Sequence, residues 1–118
     1  MRITQKEDLR YGFRVTTPDG KSLGLRNNPN VVDYTDAIET GSQYRLSPEV
    51  VVEGEGDWGG IWVAPKLSDA RRYVRYMKEK HSIDGCRVFL VSLGRVLFEN
   101  SGRIKTDAIT FEAEIEEI

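Results

Sequence analysis

The chain has 118 residues, 39% of them hydrophobic and 31% charged, which supplies one core under a heavily charged surface and too little chain for two. A net charge of −2 excludes a chain-wide pull toward nucleic acid or acidic membrane, so binding of that kind needs a local patch. The one cysteine, Cys86, excludes an internal disulfide and with it the framework of a small secreted protein.

Met1 to Arg10 is polar, and no later segment approaches the ~18 apolar residues of a membrane span, so the expectation is a cytoplasmic protein without membrane contact. Tyr11, Phe13 and Val15 then alternate with Gly12, Arg14 and Thr16, the period-2 pattern of a strand with Arg14 on the face away from those aromatics. Thr17-Pro18-Asp19-Gly20 has proline and glycine where a reverse turn uses them and predicts a hairpin into Lys21 to Leu25. Asn27-Asn28-Pro29-Asn30 marks another change of direction. Between residues 31 and 57 the pattern is weak: a short strand at Val31 to Tyr34, a helical turn over Thr35 to Thr40 capped by Thr35, and an extended Tyr44 to Leu46. Val50 to Val52 is strand-like, and the glycine-punctuated acidic run Glu53 to Asp57 reads as an exposed loop.

Gly59 to His81 is the most legible stretch. Ile61 to Ala64 reads as a short apolar strand, Pro65 stops it, and the spacing of Ala70, Tyr73, Val74 and Met77 predicts an amphipathic helix over 68–81. Ser68 is the expected N-cap, Asp69 suits the positive end of the helix dipole, and Lys78, Lys80 and His81 suit the negative end. Asp84-Gly85 predicts a turn, and Arg87 to Leu93, apolar on both faces, a central strand. Gly94-Arg95 interrupts it, Val96 to Glu99 resumes, and Asn100-Ser101-Gly102 turns the chain into Arg103 to Thr106. The last strand alternates Ile109, Phe111, Ala113 and Ile115 with Thr110, Glu112 and Glu114, which predicts one core face and one acidic face. Together these elements make a single α+β domain over residues 1–118, with a mainly antiparallel sheet and one principal helix packed on it.

Four features carry candidate chemistry. Arg71, Arg72, Arg75 and Lys78 recur at helical spacing opposite the apolar stripe and form a face suited to phosphates or an acidic partner. The ordinary alternative is a solvated face in which Asp69–Arg72 and Arg75–Glu79 are surface pairs, each contributing about 0.2–0.5 kcal/mol. Glu112 and Glu114, two apart on a strand, place their carboxylates on one face roughly 7 Å apart, a spacing at which a pair can orient a hydroxyl and act as a base. Their ordinary use is to keep an edge strand wetted. Trp58 and Trp62 flank Gly59-Gly60 and offer rings for stacking on a base or sugar, though tryptophans so placed most often serve core and rim. His81 is the one histidine, which leaves no multi-histidine metal site, and no phosphate-binding glycine motif is present. His81 reads as a helix-end cation and Cys86 as a small buried residue.

Two resemblances follow from these residues. Gly60-Ile61-Trp62-Val63-Ala64-Pro65-Lys66-Leu67-Ser68-Asp69-Ala70-Arg71-Arg72-Tyr73, with Val88 to Val91, Gly94-Arg95-Val96 and Arg103 to Thr106, resembles a family of small uncharacterised domains of phages and prokaryotes. It covers about the second half of the chain and implies phage or viral origin but no mechanism. Arg14 in Tyr11-Gly12-Phe13-Arg14, the strand and helix start from Ile61 to Tyr73, and Glu112-Ala113-Glu114 are similar to the ADP-ribosyltransferase-like group. That likeness implies NAD as cofactor, with Arg14 on its pyrophosphate, Glu114 stabilising the ribosyl cation and Glu112 orienting the acceptor. Where the group usually carries Ser or Thr on the middle strand, this chain has Ala64. The first expectation is a non-catalytic module that binds a protein or nucleic acid through the basic helix face. The second is the NAD-using enzyme.

Overall fold

The computed structural model describes residues 10–23, 31–47, 51 and 59–115. The elements are β1 (Tyr11–Thr16), α1 (Thr35–Thr40), β2 (Gln43–Arg45), β3 (Ile61–Val63), α2 (Leu67–His81), β4 (Arg87–Leu93), β5 (Val96–Glu99), β6 (Ile104–Thr106) and β7 (Ala108–Ile115). They form a four-stranded sheet in the order β1-β4-β7-β2 and a three-stranded sheet in the order β3-β6-β5, with every pairing among the described strands antiparallel. This is the α+β architecture with one principal helix that the hydrophobic pattern predicts.

β4 lies inside the larger sheet because both of its faces are apolar. Val15 opposes Val88 and Phe13 opposes Leu90 across the β1–β4 ladder. That face, with Cys86, receives Ala70 and Met77 of α2, and Leu67, Tyr73 and Val74 close the margin. Phe89, Val91 and Leu93, joined by Ile109 and Phe111 of β7, make the other face. Ile61, Val63 and Ile104 of the smaller sheet cover it, with Tyr34 and Ala37. The molecule is thus layered as α2, large sheet, then small sheet with α1. Burying a side chain such as Met77, 1% exposed, contributes about 1.5–3 kcal/mol.

The large sheet passes into the small one at Gly94-Arg95, so the expected interruption of one strand is a crossover between two sheets. Asp107 anchors it: its Oδ1 accepts from the Arg95 amide at 2.8 Å and its Oδ2 from Arg45 Nη1 at 3.2 Å. The amide of Gly94 donates to Ala108 O at 2.8 Å, and the Thr106 hydroxyl to Arg95 O at 2.9 Å.

Helix α2 starts at Leu67, one residue before the expected start, with Lys66 as an extended N-cap and no side-chain cap bond. Ser68 therefore does not cap it; the earlier start turns Leu67 onto the core. At the other end Ser82 takes the left-handed conformation, φ 58°, which lets the Ile83 amide reach Met77 O at 3.1 Å. In α1 the side chain that serves the first turn is Asp33, whose Oδ1 accepts from both the amide and hydroxyl of Thr35 at 2.9 and 2.8 Å. The turn at Thr17 to Gly20 forms, with Gly20 at φ 82° and its amide 2.9 Å from Thr17 O. No strand follows it among the described residues: Lys21 bridges Asp33 instead, and the Ser22 amide donates to Val32 O at 2.8 Å. Gly24, Leu25, Asn27 to Asn30, Val50, and Val52 to Asp57 lie outside the described residues.

β7 departs furthest from its pattern. Leu90 opposes Ala113, but the next residue, Val91, opposes Phe111, so Glu112 is an extra residue and the ladder is bulged. Beyond the bulge the alternation inverts. Ile109 and Phe111 enter one core, Ile115 packs into the other, and Ala113 is exposed. The expected single core face is split between the two faces of the sheet. Among the described residues no helix is long and apolar enough to cross a membrane.

Candidate functional site

Packing of the apolar stripe into the core sets the direction of the cations of α2. Arg71, Arg72, Arg75 and Lys78 are all exposed, since at 3.6 residues per turn they fall outside the arc of Ala70, Val74 and Met77. Arg72 is bonded to Asp69 Oδ1, as the spacing predicts, and Lys78 lies 3.7 Å from Asp84, both partners well exposed. Arg71 and Arg75 have no ion-pair partner among the described residues, and the expected Arg75–Glu79 pair does not form. Exposed pairs such as Lys78–Asp84 contribute about 0–1 kcal/mol, so an incoming anion displaces them at little cost.

Beside this ridge lies a cavity of 260 Å³ lined by Asp69, Arg72, Tyr73, Tyr76 and Gly102. Gly102 comes from the β5–β6 turn, so helix and turn together wall it. Asp69 is buried, 8% exposed, and its Oδ2 has no hydrogen-bond partner. Sequence reasoning treats Asp69 as a dipole partner and surface pair and gives Tyr76 no role. The signal is present in the spacing: Asp69, Arg72, Tyr73 and Tyr76 are three, four and seven residues apart, hence one helical arc. Nothing in the sequence brings Gly102 to that arc. His81, exposed at the helix end, touches Tyr76 edge-on with ring centres 5.4 Å apart.

Arg14 is half-buried between the layers. Its Nη1 donates to the carbonyl oxygen of Trp62 at 2.7 Å, its Nη2 to the Tyr34 hydroxyl at 3.0 Å, and its guanidinium lies 5.3 Å from the Tyr34 ring centre. Its Nε is buried without a partner. Through Phe89, which opposes both residues in register, Arg14 and Glu114 share one face of the large sheet. Glu114 is forked by Arg87, with Nε and Nη2 at 3.0 and 2.9 Å, and Arg87 in turn covers the Phe89 ring at 4.9 Å. The hydrogen bonds from Arg87 hold the Glu114 carboxyl below its ordinary range, outweighing the opposing effect of partial burial.

Glu112 is not beside it. Its Oε2 accepts from Ser92 Oγ at 2.7 Å, on the Leu90 face of β4. The bulge therefore places the two carboxylates on opposite sides of the sheet, and the expected same-face pair does not exist.

Trp62 is half-buried on β3. Arg103 lies 4.3 Å and Lys105 5.7 Å from its ring centre, and Phe98 meets it edge-on at 6.1 Å. None of these ring contacts comes from α2, so Trp62 is not joined to the cationic face through its ring. Trp58 lies outside the described residues. Cys86 is buried, and burial pushes its thiol above the ordinary range, which makes it a poor nucleophile. Among the described residues no group of three or more His, Cys, Asp or Glu side chains is placed to hold a metal ion. In comparisons with known proteins, no family model, no curated protein and no solved structure matches the chain.

Proposed function

We propose that this chain is a non-catalytic module that binds a polyanionic macromolecule, nucleic acid or acidic protein, through the outward face of α2. One observation carries the reading: Arg71, Arg72, Arg75 and Lys78 are exposed on one side of a helix whose other side is fixed in the core, and Arg71 and Arg75 have no ion-pair partner among the described residues. The backbone that carries these cations is already ordered by the helix, so only their side chains have to be ordered when a polyanion makes contact. Phage or viral origin, implied by resemblance, belongs to the same proposal. The test is fluorescence anisotropy with labelled single-stranded RNA, single-stranded DNA and polyglutamate. Binding that weakens steeply with salt is expected for at least one, and no binding to any of them at low salt removes the reading.

A second reading, an ADP-ribosyltransferase-like enzyme using NAD, draws support from the shared face of Arg14 and Glu114. Against it stand the donors of Arg14 spent on Trp62 and Tyr34, and Glu112 on the far side of the sheet. Calorimetric titration with NAD decides it: absence of heat at millimolar NAD ends the enzyme reading.

A further inference from the structure

We infer that the cavity between α2 and the β5–β6 turn is a subsite for one unstacked nucleobase of a single-stranded nucleic acid whose phosphates lie along Arg71, Arg75 and Lys78. The inference rests on the binding role proposed for α2 and names the class of partner. Arg72 belongs to both features, since it is exposed among the cations and also lines the cavity. Around the helix the order is therefore core stripe, cavity, Arg72, then the ridge. At 3.6 residues per turn Arg71, Arg75 and Lys78 lie well round the helix from the cavity, so a strand lying on them reaches it by crossing Arg72.

The lining fits a base better than it fits an acidic side chain. Tyr76 is 44% exposed at the cavity wall, and Tyr73 is half-buried beside it, so the walls are aromatic. Every base has a π-face for such rings, and unpaired bases are the ones free to reach them. Asp69 supplies a carboxylate with one buried oxygen still lacking a donor. Every nucleobase carries at least one N–H, and the Arg72 guanidinium on the same wall supplies donors for the ring acceptors next to it. A glutamate or aspartate from an acidic protein brings a second carboxylate toward Asp69 and no donor for it, so an acidic protein uses the ridge and leaves the cavity empty. Gly102 leaves its side of the cavity open: a Cβ there meets only Asn100 Oδ1, at 3.8 Å.

The test uses the full chain and labelled single-stranded RNA octamers, one with bases and one of abasic residues. The abasic octamer is expected to bind about tenfold more weakly, as loss of base–aromatic stacking predicts. Gly102→Leu, which adds bulk to the cavity wall at a position where a Cβ meets only Asn100 Oδ1, and Tyr76→Ala are expected to lower affinity for the octamer with bases to the abasic level. Neither is expected to change the salt slope or the affinity for the abasic octamer. Equal, salt-dependent affinity for the two octamers overturns the base subsite and leaves the binding role of α2 standing. Binding of polyglutamate without RNA overturns the subsite in favour of an acidic protein partner. No binding of RNA, single-stranded DNA or polyglutamate at low salt overturns both.

Discussion

Arg14 holds the backbone of Trp62: its guanidinium donates to the Trp62 carbonyl oxygen at 2.7 Å from the next layer. The same side chain donates to Tyr34, so one arginine ties the large sheet to β3 and to the segment that leads into α1. Hydrogen bonds from a charged donor contribute about 1.5–3 kcal/mol each, and the unpaired Nε offsets part of that. Arg14→Met, which keeps the apolar stem, is expected to lower stability by about 2–3 kcal/mol in urea unfolding. An unchanged midpoint would show that the clamp contributes nothing.

The Arg87–Glu114 fork makes stability depend on acid. Glu114 titrates below its ordinary 4.5 when folded, chiefly because Arg87 donates two hydrogen bonds to the charged form. A depressed folded value means that the unfolded chain takes up the proton first as pH falls. The contribution is therefore complete above about pH 5 and is lost below 4.5 as pH drops through the folded value. With both partners about a third exposed, the fork is worth about 0.5–1 kcal/mol. Glu114→Gln is expected to flatten the stability curve between about pH 5 and 3 by that amount. Among the described residues Asp19, Asp33 and Glu99 add to the slope in the same direction, each held low mainly by hydrogen bonds from Thr17, Thr35 and Arg10 respectively.

The sites legible in the sequence are those that depend on local periodicity. The cations of α2 are exposed because Ala70 and Met77 are buried with Val74 packed against them, and helical spacing alone relates the two sets. Alternation misplaces Glu112 and Glu114 for a reason equally local in scale but not local in cause. A bulge depends on the partner strand, here the step from Leu90 to Val91, and leaves no mark in the alternation of β7 itself. The meeting of Asp69 with Gly102, and of Arg14 with Trp62, depends on how the layers stack, which hydrophobic patterning does not encode.

Stacking of the layers also explains Gly12, which the alternation of β1 treats as a mere spacer. A Cβ at this position would lie 2.8 Å from Val63 Cγ2 and 3.1 Å from Ala64 O, where β3 crosses the edge of β1. The pair Phe13 and Ala64 exchanges both backbone hydrogen bonds at 2.8 Å, so the backbone there has little room to withdraw. Gly12→Ala is expected to cost about 1–3 kcal/mol by overpacking. Gly102→Ala, which meets no such neighbour, is expected to be neutral or to stabilise by about 0.4–1 kcal/mol through the unfolded chain. Thermal unfolding of the two variants side by side checks the contrast.

The cationic ridge yields the prediction that separates binding from folding. Arg71 and Arg75 are exposed and have no ion-pair partner among the described residues, so Arg71→Gln with Arg75→Gln removes no contact that holds the fold. Surface changes of this kind alter stability by about 0.5 kcal/mol or less. Their effect on a polyanion is large, because each phosphate neutralised on a single strand contributes about −0.7 to the slope of log affinity against log salt. With Arg71, Arg75 and Lys78 each facing one phosphate, the slope for single-stranded RNA is expected to be about −2, and the double variant is expected to bring it to about −0.7. Lys21→Gln, on the turn that leads away from β1 and beside Asp19, serves as the control and leaves the slope unchanged. Anisotropy titrations between roughly 20 and 200 mM salt, the range over which such slopes are read, measure all three. A double variant that keeps the full slope would place the phosphate contacts elsewhere on the molecule, since the cations of α2 would then be solvated and nothing more.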